Sequence, residues 1–224
     1  GWSNGVFWFG SELKALQAYK NFNNIVDRNA LSLYMQYMYV PTPYSIFKDV
    51  YKLDPGCILQ IDNDGINKPP RRIMSSAFCA KGVSIKQWYS LSNIAEKSQH
   101  NLIKDKHESV ELLEKALTES IQSQLISDVS LGAFLSGGID SSIIVSLMQS
   151  ISMNPVKTFT IGFEDSLFNE AIYAKDVAKH LGTEHHELYV TASDAIRVIP
   201  DLPILYDEPF ADSSQIPTYL VSKL

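Results

Sequence analysis

A chain of 224 residues, 45% apolar and 20% charged, has the makeup of one large globular domain or two small ones and excludes the disordered and fibrous classes. Nineteen Lys and Arg against 25 Asp and Glu leave a formal charge of -6, so no bulk positive field is present to hold nucleic-acid phosphates or an anionic membrane surface. Cys57 and Cys79 are too few for a disulfide framework or a four-thiolate zinc site, and no apolar run approaches the roughly 18 residues of a membrane span, so the expected location is the cytoplasm.

Taken in chain order, Val6 to Phe9 reads as a strand, and Ser11 as the N-cap of a brief helix to Leu16. Leu31, Tyr34, Met35 and Met38 recur at three- and four-residue steps, so Asp27 to Met38 reads as a helix stopped by Pro41 and Pro43, and the aromatics from Tyr34 to Tyr39 read most simply as core. Ile46 to Ile61 alternates loosely and breaks at Asp54, Pro55 and Gly56, as two strands around a turn would; Asn63, Asp64 and Gly65 make a further turn. From Ile66 to Asp105 no period is sustained. Pro69, Pro70, Arg71 and Arg72, with scattered Ser and Lys, give that stretch the composition of an exposed connector whose basic residues form a solvated face.

Glu108 to Ile126 carries Val110, Leu113, Leu117, Ile121 and Leu125 along one helix face, and a second domain begins there. Beyond it strand and helix alternate: strand Leu131 to Leu135, helix Ser141 to Met153, strand Thr158 to Gly162, helix Asn169 to Leu181 ending at Gly182, and a strand near His186 to Val190. Strands separated by helices of this length predict right-handed crossovers and an open parallel α/β sheet, with ligands beyond the carboxyl ends of the strands. Thr218 to Leu224 reads as an amphipathic helix that stops without a cap, and the chain opens on Gly1 and Trp2 without Met. An excerpt of a longer protein is therefore expected.

The chemistry concentrates where the first of those parallel strands ends. Ser136-Gly137-Gly138-Ile139-Asp140-Ser141-Ser142 follows an apolar strand and precedes an apolar helix. Adjacent glycines permit close backbone approach, and a helix start offers unpaired N–H groups and a partial positive charge, which together suit a pyrophosphate. Ser136, Ser141 and Ser142 add hydroxyls. Asp140 repels phosphate unless magnesium lies between them. The loop has no Lys, so it is neither the GxxxxGKS/T loop nor GxGxxG; the competing reading is a tight strand-to-helix turn capped by Ser or Asp.

This loop resembles the pyrophosphate loop of the N-type ATP pyrophosphatases, and SDVSLGAFLSGGIDSS is similar to the synthetase domain of the class B, glutamine-dependent asparagine synthetases. FGSELKAL (Phe9 to Leu16) and VPTPYSIFKDVYKLDPGCIL (Val40 to Leu59) resemble the closing segment of that family's glutaminase domain, and KQWYSL (Lys86 to Leu91) its interdomain link. FTIGF (Phe159 to Phe163), FNEAIYAKDVAKHLGTEHHE (Phe168 to Glu187) and YDEPFADSSQIPTYLVSKL (Tyr206 to Leu224) match in order and spacing. The resemblance implies a parallel-sheet domain of the adenine nucleotide alpha-hydrolase type at 106–224. Ahead of it come a connector at 65–105 and the end of an α+β N-terminal-nucleophile glutaminase domain at 1–64. It implies adenylation of aspartate by ATP, giving aspartyl-AMP and pyrophosphate, and then amidation by ammonia from glutamine. ATP and pyrophosphate are expected on Leu135, Ser136, Gly137, Gly138, Asp140, Ser141, Ile161 and Gly162. The backbone of Leu135, Ile161 and Gly162 should hold the adenine edge, and Asp140 should meet Mg2+ carried by the pyrophosphate. The family also allows a homodimer.

Other candidates are weaker. Asp207, Glu208, Asp212 and Ser213 precede the last helix, where they read as a capped helix start or, by resemblance, as groups on the acceptor side with a substrate or metal role. His185 and His186 adjoin on a strand and so face opposite ways, which disfavours a metal site with His180. The family's nucleophilic N-terminal Cys has no counterpart in Gly1, Cys57 or Cys79, and its SGxGxDE motif is not reached by Leu224. The catalytic residues are thus expected outside this chain, which alone should bind nucleotide weakly and make no amide. The alternatives are a related amidotransferase or lactam-forming synthetase acting on another carboxylate, or a non-catalytic homologue that binds a nucleotide or a partner.

Overall fold

The computed structural model of the chain describes residues 1–3, 6–67, 78–80, 82–163 and 169–224. They divide into two units, residues 1–101 with 200–212, and residues 102–199 with 213–224.

In the first unit β1 (Trp2–Ser3) and β2 (Val6–Phe7) form an antiparallel pair, followed by α1 (Leu13–Gln17) and α2 (Arg28–Tyr37). Ser11 does not cap α1. Glu12 stands at the N-cap without a capping bond, its side chain pairing with Lys14, and the N–H of Leu13 instead donates to the carboxylate of Asp207, 194 positions away, so the cap is supplied by tertiary structure. Asp27 caps α2 from its own sequence, accepting from the N–H of Asn29 at 2.8 Å and of Ala30 at 3.3 Å, and Met38 closes the helix at φ 65°. Ala30, Val40 and Ile46 form a buried cluster with Tyr34, Tyr44 and Phe47 packed on it, whereas Tyr37 and Tyr39 are exposed and are not core.

Next come β3 (Cys57–Ile61), α3 (Asn63–Asn67), β4 (Cys79–Ala80), β5 (Val83–Gln87) and α4 (Leu91–Ser98), with the three strands ordered β3-β5-β4 and antiparallel. Only the second half of Ile46 to Ile61 is a strand. Its first half makes single bridges, Val26 to Phe47 and Tyr44 to Tyr51, because Ser45 turns its hydroxyl onto the Phe47 N–H and Asp49 adopts φ 62°. The turn expected at Asn63 opens α3 instead, since Asp62 accepts from the N–H of Asp64 and Gly65 and acts as an N-cap. The supposed connector contributes core: Val83 and Ile85 are buried against Cys57, Leu59 and Ile61, and Ser90 caps α4. Five alternating residues in β5 were too short a run to register as a period. Pro69, Pro70, Arg71 and Arg72 lie outside the described residues.

The second unit begins with α5 (Lys106–Gln124), capped by Asp105 on the Glu108 N–H at 2.8 Å. The alternation expected downstream is present as β6 (Gly132–Phe134), α6 (Ile139–Ile151), β7 (Lys157–Phe163), α7 (Ala171–Leu181) and β8 (Glu184–Val190). The sheet is parallel and ordered β6-β7-β8, with Phe134 opposite Phe159 and Gly162 opposite Tyr189. Leu135, Val145, Ala174 and Ala178 are buried together, so α6 and α7 share the face of the sheet to which Ala133 and Leu135 point. Beside that cluster, and sharing Ala133 with it, Ile121 of α5 packs with Met148 of α6 and Val156. Burial of roughly 1.5–3 kcal/mol per large side chain makes these clusters the main hold on the helices. Gly182 ends α7 at φ 71°, as expected.

The chain continues through α8 (Ala192–Val198), a short 3₁₀ turn, α9 (Leu202–Leu205) and α10 (Gln215–Val221). Sequence reading did not find α8 or α9. The signal for α8 was Thr191 followed three residues later by Asp194, whose side chains and main-chain N–H groups bond reciprocally in a capping box.

Candidate nucleotide site

The loop after β6 is built by its own serines and by one glycine, Gly137, at positive φ with no room for a Cβ. Leu135 is 1% exposed and its N–H continues the ladder to Phe159 O at 2.9 Å, which fixes the end of the strand. Ser136 N–H donates to Ser141 Oγ at 3.3 Å, the two hydroxyls stand 2.9 Å apart, and Gly138 N–H donates to Ser136 Oγ at 3.3 Å. Gly138 O collects the hydroxyls of Ser141 and Ser142 and the Ser142 N–H at 3.2, 2.7 and 3.0 Å. Gly137 takes φ 79°, and a Cβ there would sit 2.7 Å from the N of Ala174 and from Cβ of Tyr173. The turn is therefore wedged against the first turn of α7.

What remains open in this loop is main-chain N–H. Gly138 is the N-cap of α6, so the amides of Ile139, Asp140 and Ser141 have no earlier carbonyl within the helix, and with Gly137 they find no acceptor among the described residues. Asp140 is exposed in the same first turn. Four donors at a helix start beside one carboxylate can take a polyphosphate with its cation.

The neighbouring strand ends divide the expected adenine contacts. Because Leu135 bonds to Phe159 O, alternation along β7 turns the polar groups of Ile161 to the β6 side, where β6 has already ended at Phe134. Ile161 thus offers its main chain at the mouth of the site. Gly162 turns its polar groups to β8, and its missing side chain accommodates the ring of Tyr189, whose Cε1 would lie 2.5 Å from an added Cβ. Sequence reading missed Tyr189. Its phenol donates to Glu187 Oε2 at 2.9 Å, and Glu187 pairs with Lys175 of α7 at 3.0 Å; that ammonium holds the carboxyl below its ordinary range, and the carboxylate pushes the phenol up.

The histidines are committed elsewhere. Thr158, fully buried, places its hydroxyl 2.9 Å from both Thr183 Oγ1 and His185 Nδ1, while His185 Nε2 is buried without a partner among the described residues. Burial pushes the His185 imidazole down, so the neutral ring is favoured. His186 stacks on Phe159 and meets Glu184 at 3.1 Å on the opposite face. Among the described residues no group of three or more His, Cys, Asp or Glu is placed to hold a metal.

Within the acidic segment, Asp207 and Glu208 bond away from α10. Ser214 is the N-cap of α10 and makes no capping bond. Asp207 and Glu208 instead turn into the first unit, onto Leu13, Lys14, Ile46 and Lys52.

A glycine turn with open first-turn amides, set at the carboxyl end of the first of three parallel strands, marks the second unit as an α/β domain with a parallel sheet. The family model for asparagine synthase matches residues 112–224, and that for the glutamine amidotransferase domain matches residues 1–71. The chain belongs to the asparagine synthase family, whose domain has the adenine nucleotide alpha-hydrolase-like fold. It is 34% identical over 226 residues to the putative asparagine synthetase [glutamine-hydrolyzing] 2 of Methanocaldococcus jannaschii, covering 100% of this chain and 40% of that protein. It is 31% identical over 221 residues to asparagine synthetase [glutamine-hydrolyzing] 1 of Bacillus subtilis, covering 98% and 31%, and 33% identical over 141 residues to asparagine synthetase B of Escherichia coli, covering 55% and 25%. The chain thus spans 40% or less of the length of each of these relatives. No helix among the described residues is long and apolar enough to cross a membrane.

Proposed function

We propose that this chain supplies the ATP-binding part of a glutamine-hydrolysing asparagine synthetase. On this reading residues 106–224 are the opening of the synthetase domain, 1–64 the close of the glutaminase domain, and 65–105 a connector whose β5 packs onto β3. An oxygen of the aspartate side-chain carboxylate attacks the α-phosphorus of ATP, the bond to the β-phosphate oxygen breaks, and aspartyl-AMP and pyrophosphate form. Ammonia from glutamine then attacks the acyl carbon, and AMP leaves with the electron pair of the C–O bond as the nitrogen loses its proton. The location is the cytoplasm, consistent with Cys57 and Cys79 as free thiols.

The observation that carries this reading is the set of amides on Gly137, Ile139, Asp140 and Ser141, which find no acceptor among the described residues in a turn already held by serine hydroxyls. They would stabilise charge arriving on the departing pyrophosphate without reorganising. Leu135 and Ile161 present the end of the β6–β7 pair to the adenine edge. The donor set fits magnesium as a phosphate-borne ion: a single carboxylate, Asp140, stands at the loop, and a hydrated cation of this kind needs only one or two from the protein. Bound there, magnesium would neutralise charge shared between the phosphates. The test is aspartate-dependent exchange of pyrophosphate into ATP by the full-length protein, with Asp140→Ala as the control. Exchange that needs aspartate and falls about a hundredfold in the variant is expected. Exchange indifferent to aspartate, or unaffected by Asp140→Ala, refutes the reading.

A further inference from the structure

The segment 200–212 holds an arrangement that adenylation does not use. In sequence it runs between α8 and α10, both of the second unit, yet it packs within the first. Its main chain is tied there: Ala211 N–H donates to Met38 O at 2.9 Å, and Lys14 Nζ to Leu205 O at 3.2 Å. The side chains tie it more tightly. Asp207 Oδ2 accepts the Leu13 N–H at 2.5 Å, and Oδ1 stands 3.3 Å from Lys14 Nζ. Glu208 Oε2 accepts the Ile46 N–H at 3.1 Å, while Oε1 takes the Lys52 ammonium, which also donates to Val40 O at 2.6 Å.

Both carboxylates are largely shielded, at 17% and 19% exposure; Asp207 Oδ2 and both Glu208 oxygens accept hydrogen bonds, and Asp207 Oδ1, buried without one, faces the Lys14 ammonium as an ion pair. They also line part of a cavity of about 930 Å³ in the first unit, together with Trp8, Leu16, Val50 and Leu53. The asparagine synthase match includes the segment, whereas all four of its side-chain partners, Leu13, Lys14, Ile46 and Lys52, fall inside the glutamine amidotransferase match. These two parts must cooperate when nitrogen comes from glutamine. When it comes from ammonium in solution they need not.

We propose that Asp207 and Glu208 are positioning residues of the glutamine-dependent reaction: by gripping α1 and the Ile46–Lys52 segment they hold residues 206–211 on the glutaminase-type unit, and amidation from glutamine depends on that grip while amidation from ammonium does not. This rests on the function proposed above. The experiment measures asparagine formed by the full-length protein from either nitrogen source in Asp207→Asn, Glu208→Gln and Lys52→Met, with Lys52→Arg as the conservative variant. Asn and Gln keep the size and one acceptor oxygen but lose the charge that engages Lys14 and Lys52. Glutamine-dependent formation should fall about tenfold, ammonium-dependent formation should stay within about twofold, and Lys52→Arg should restore most of the loss. A parallel fall with both nitrogen sources, as a ligand role or a general loss of fold predicts, overturns this inference alone, and so does no change with either source. A wild-type protein that makes asparagine from neither source overturns the proposed function and this inference with it.

Discussion

Gly137→Ala isolates what the loop requires of its backbone, and Gly182→Ala supplies the comparison. Both glycines sit in the left-handed region, at φ 79° and φ 71°. At Gly182 nothing lies within 4 Å of the position a Cβ would take, so the variant meets only the conformational penalty, about 1–2 kcal/mol. At Gly137 the same Cβ would stand 2.7 Å from the N of Ala174 and 2.8 Å from the carbonyl carbon of Tyr173, main-chain atoms that no rotamer change can move aside. Overpacking of that kind adds about 1–3 kcal/mol, giving about 2–5 kcal/mol in all. Relief can come only by displacing the turn from α7, which also spoils the convergence of the amides. Urea unfolding should therefore show Gly137→Ala losing at least about 1 kcal/mol more than Gly182→Ala at an unchanged m value. Calorimetric titration of the full-length protein with Mg-ATP should show affinity reduced about tenfold or more, or about 1.4 kcal/mol, in Gly137→Ala alone. Equal destabilisation of the two variants, or undiminished nucleotide affinity in Gly137→Ala, refutes the argument.

Thr158→Val keeps the shape of the side chain but strips His185 Nδ1 and Thr183 Oγ1 of their shared partner, and should lower unfolding stability by about 1–3 kcal/mol, with Thr158→Ser close to wild type. His185 is held below its ordinary pKa chiefly by burial, against the opposing pull of Glu187, so the unfolded chain binds the proton first as pH falls. The stability owed to the neutral ring is whole above about 6.5 and is lost as pH falls from there toward the folded-state value. Urea midpoints should drop between about pH 7.5 and about pH 5.5, and less so in His185→Gln; an equal drop in that variant removes His185 as the cause. Asp140→Ala, the control for exchange, changes an exposed side chain and should leave the unfolding free energy within about 0.5 kcal/mol of wild type, so a larger loss would show that its kinetic effect is not ligand chemistry alone.

The second unit was readable because its signals are local. β6 and β7 are each followed by a helix long enough to cross back to the next parallel strand, and Gly182 marks a helix end by itself. The first unit was harder for a physical reason: what organises it is distant in sequence. Leu13 is capped by Asp207, and β5 finds its place by pairing with β3 across more than twenty residues. No window of the sequence contains both partners. Short elements such as α3 and α8 were decided by single carboxylates at their starts, Asp62 and Asp194, which a period search over longer windows overlooks.

The same distinction separates the legible part of the site from the rest. Ser136 to Ser142 could be read as a candidate phosphate loop because its glycines, hydroxyls and helix start lie within seven residues; in the fold these serines bond to one another and to Gly138 O. Which main-chain groups are free was not legible, since that depends on where the neighbouring strand stops: Ile161 offers its polar groups because β6 ends at Phe134, and Gly162 offers mainly space for Tyr189. Asp207 and Glu208 show the limit most clearly. Their composition and position before a helix equally describe a cap, a metal ligand or a substrate contact, and only their partners, Leu13, Lys14, Ile46 and Lys52, distinguish a clamp from all three. Shielded carboxylates bonded to main-chain N–H groups and ammonium groups act through what they hold in place, so under the positioning role proposed above their influence should appear in the coupling of the two nitrogen sources and not in the affinity for either nucleotide or aspartate.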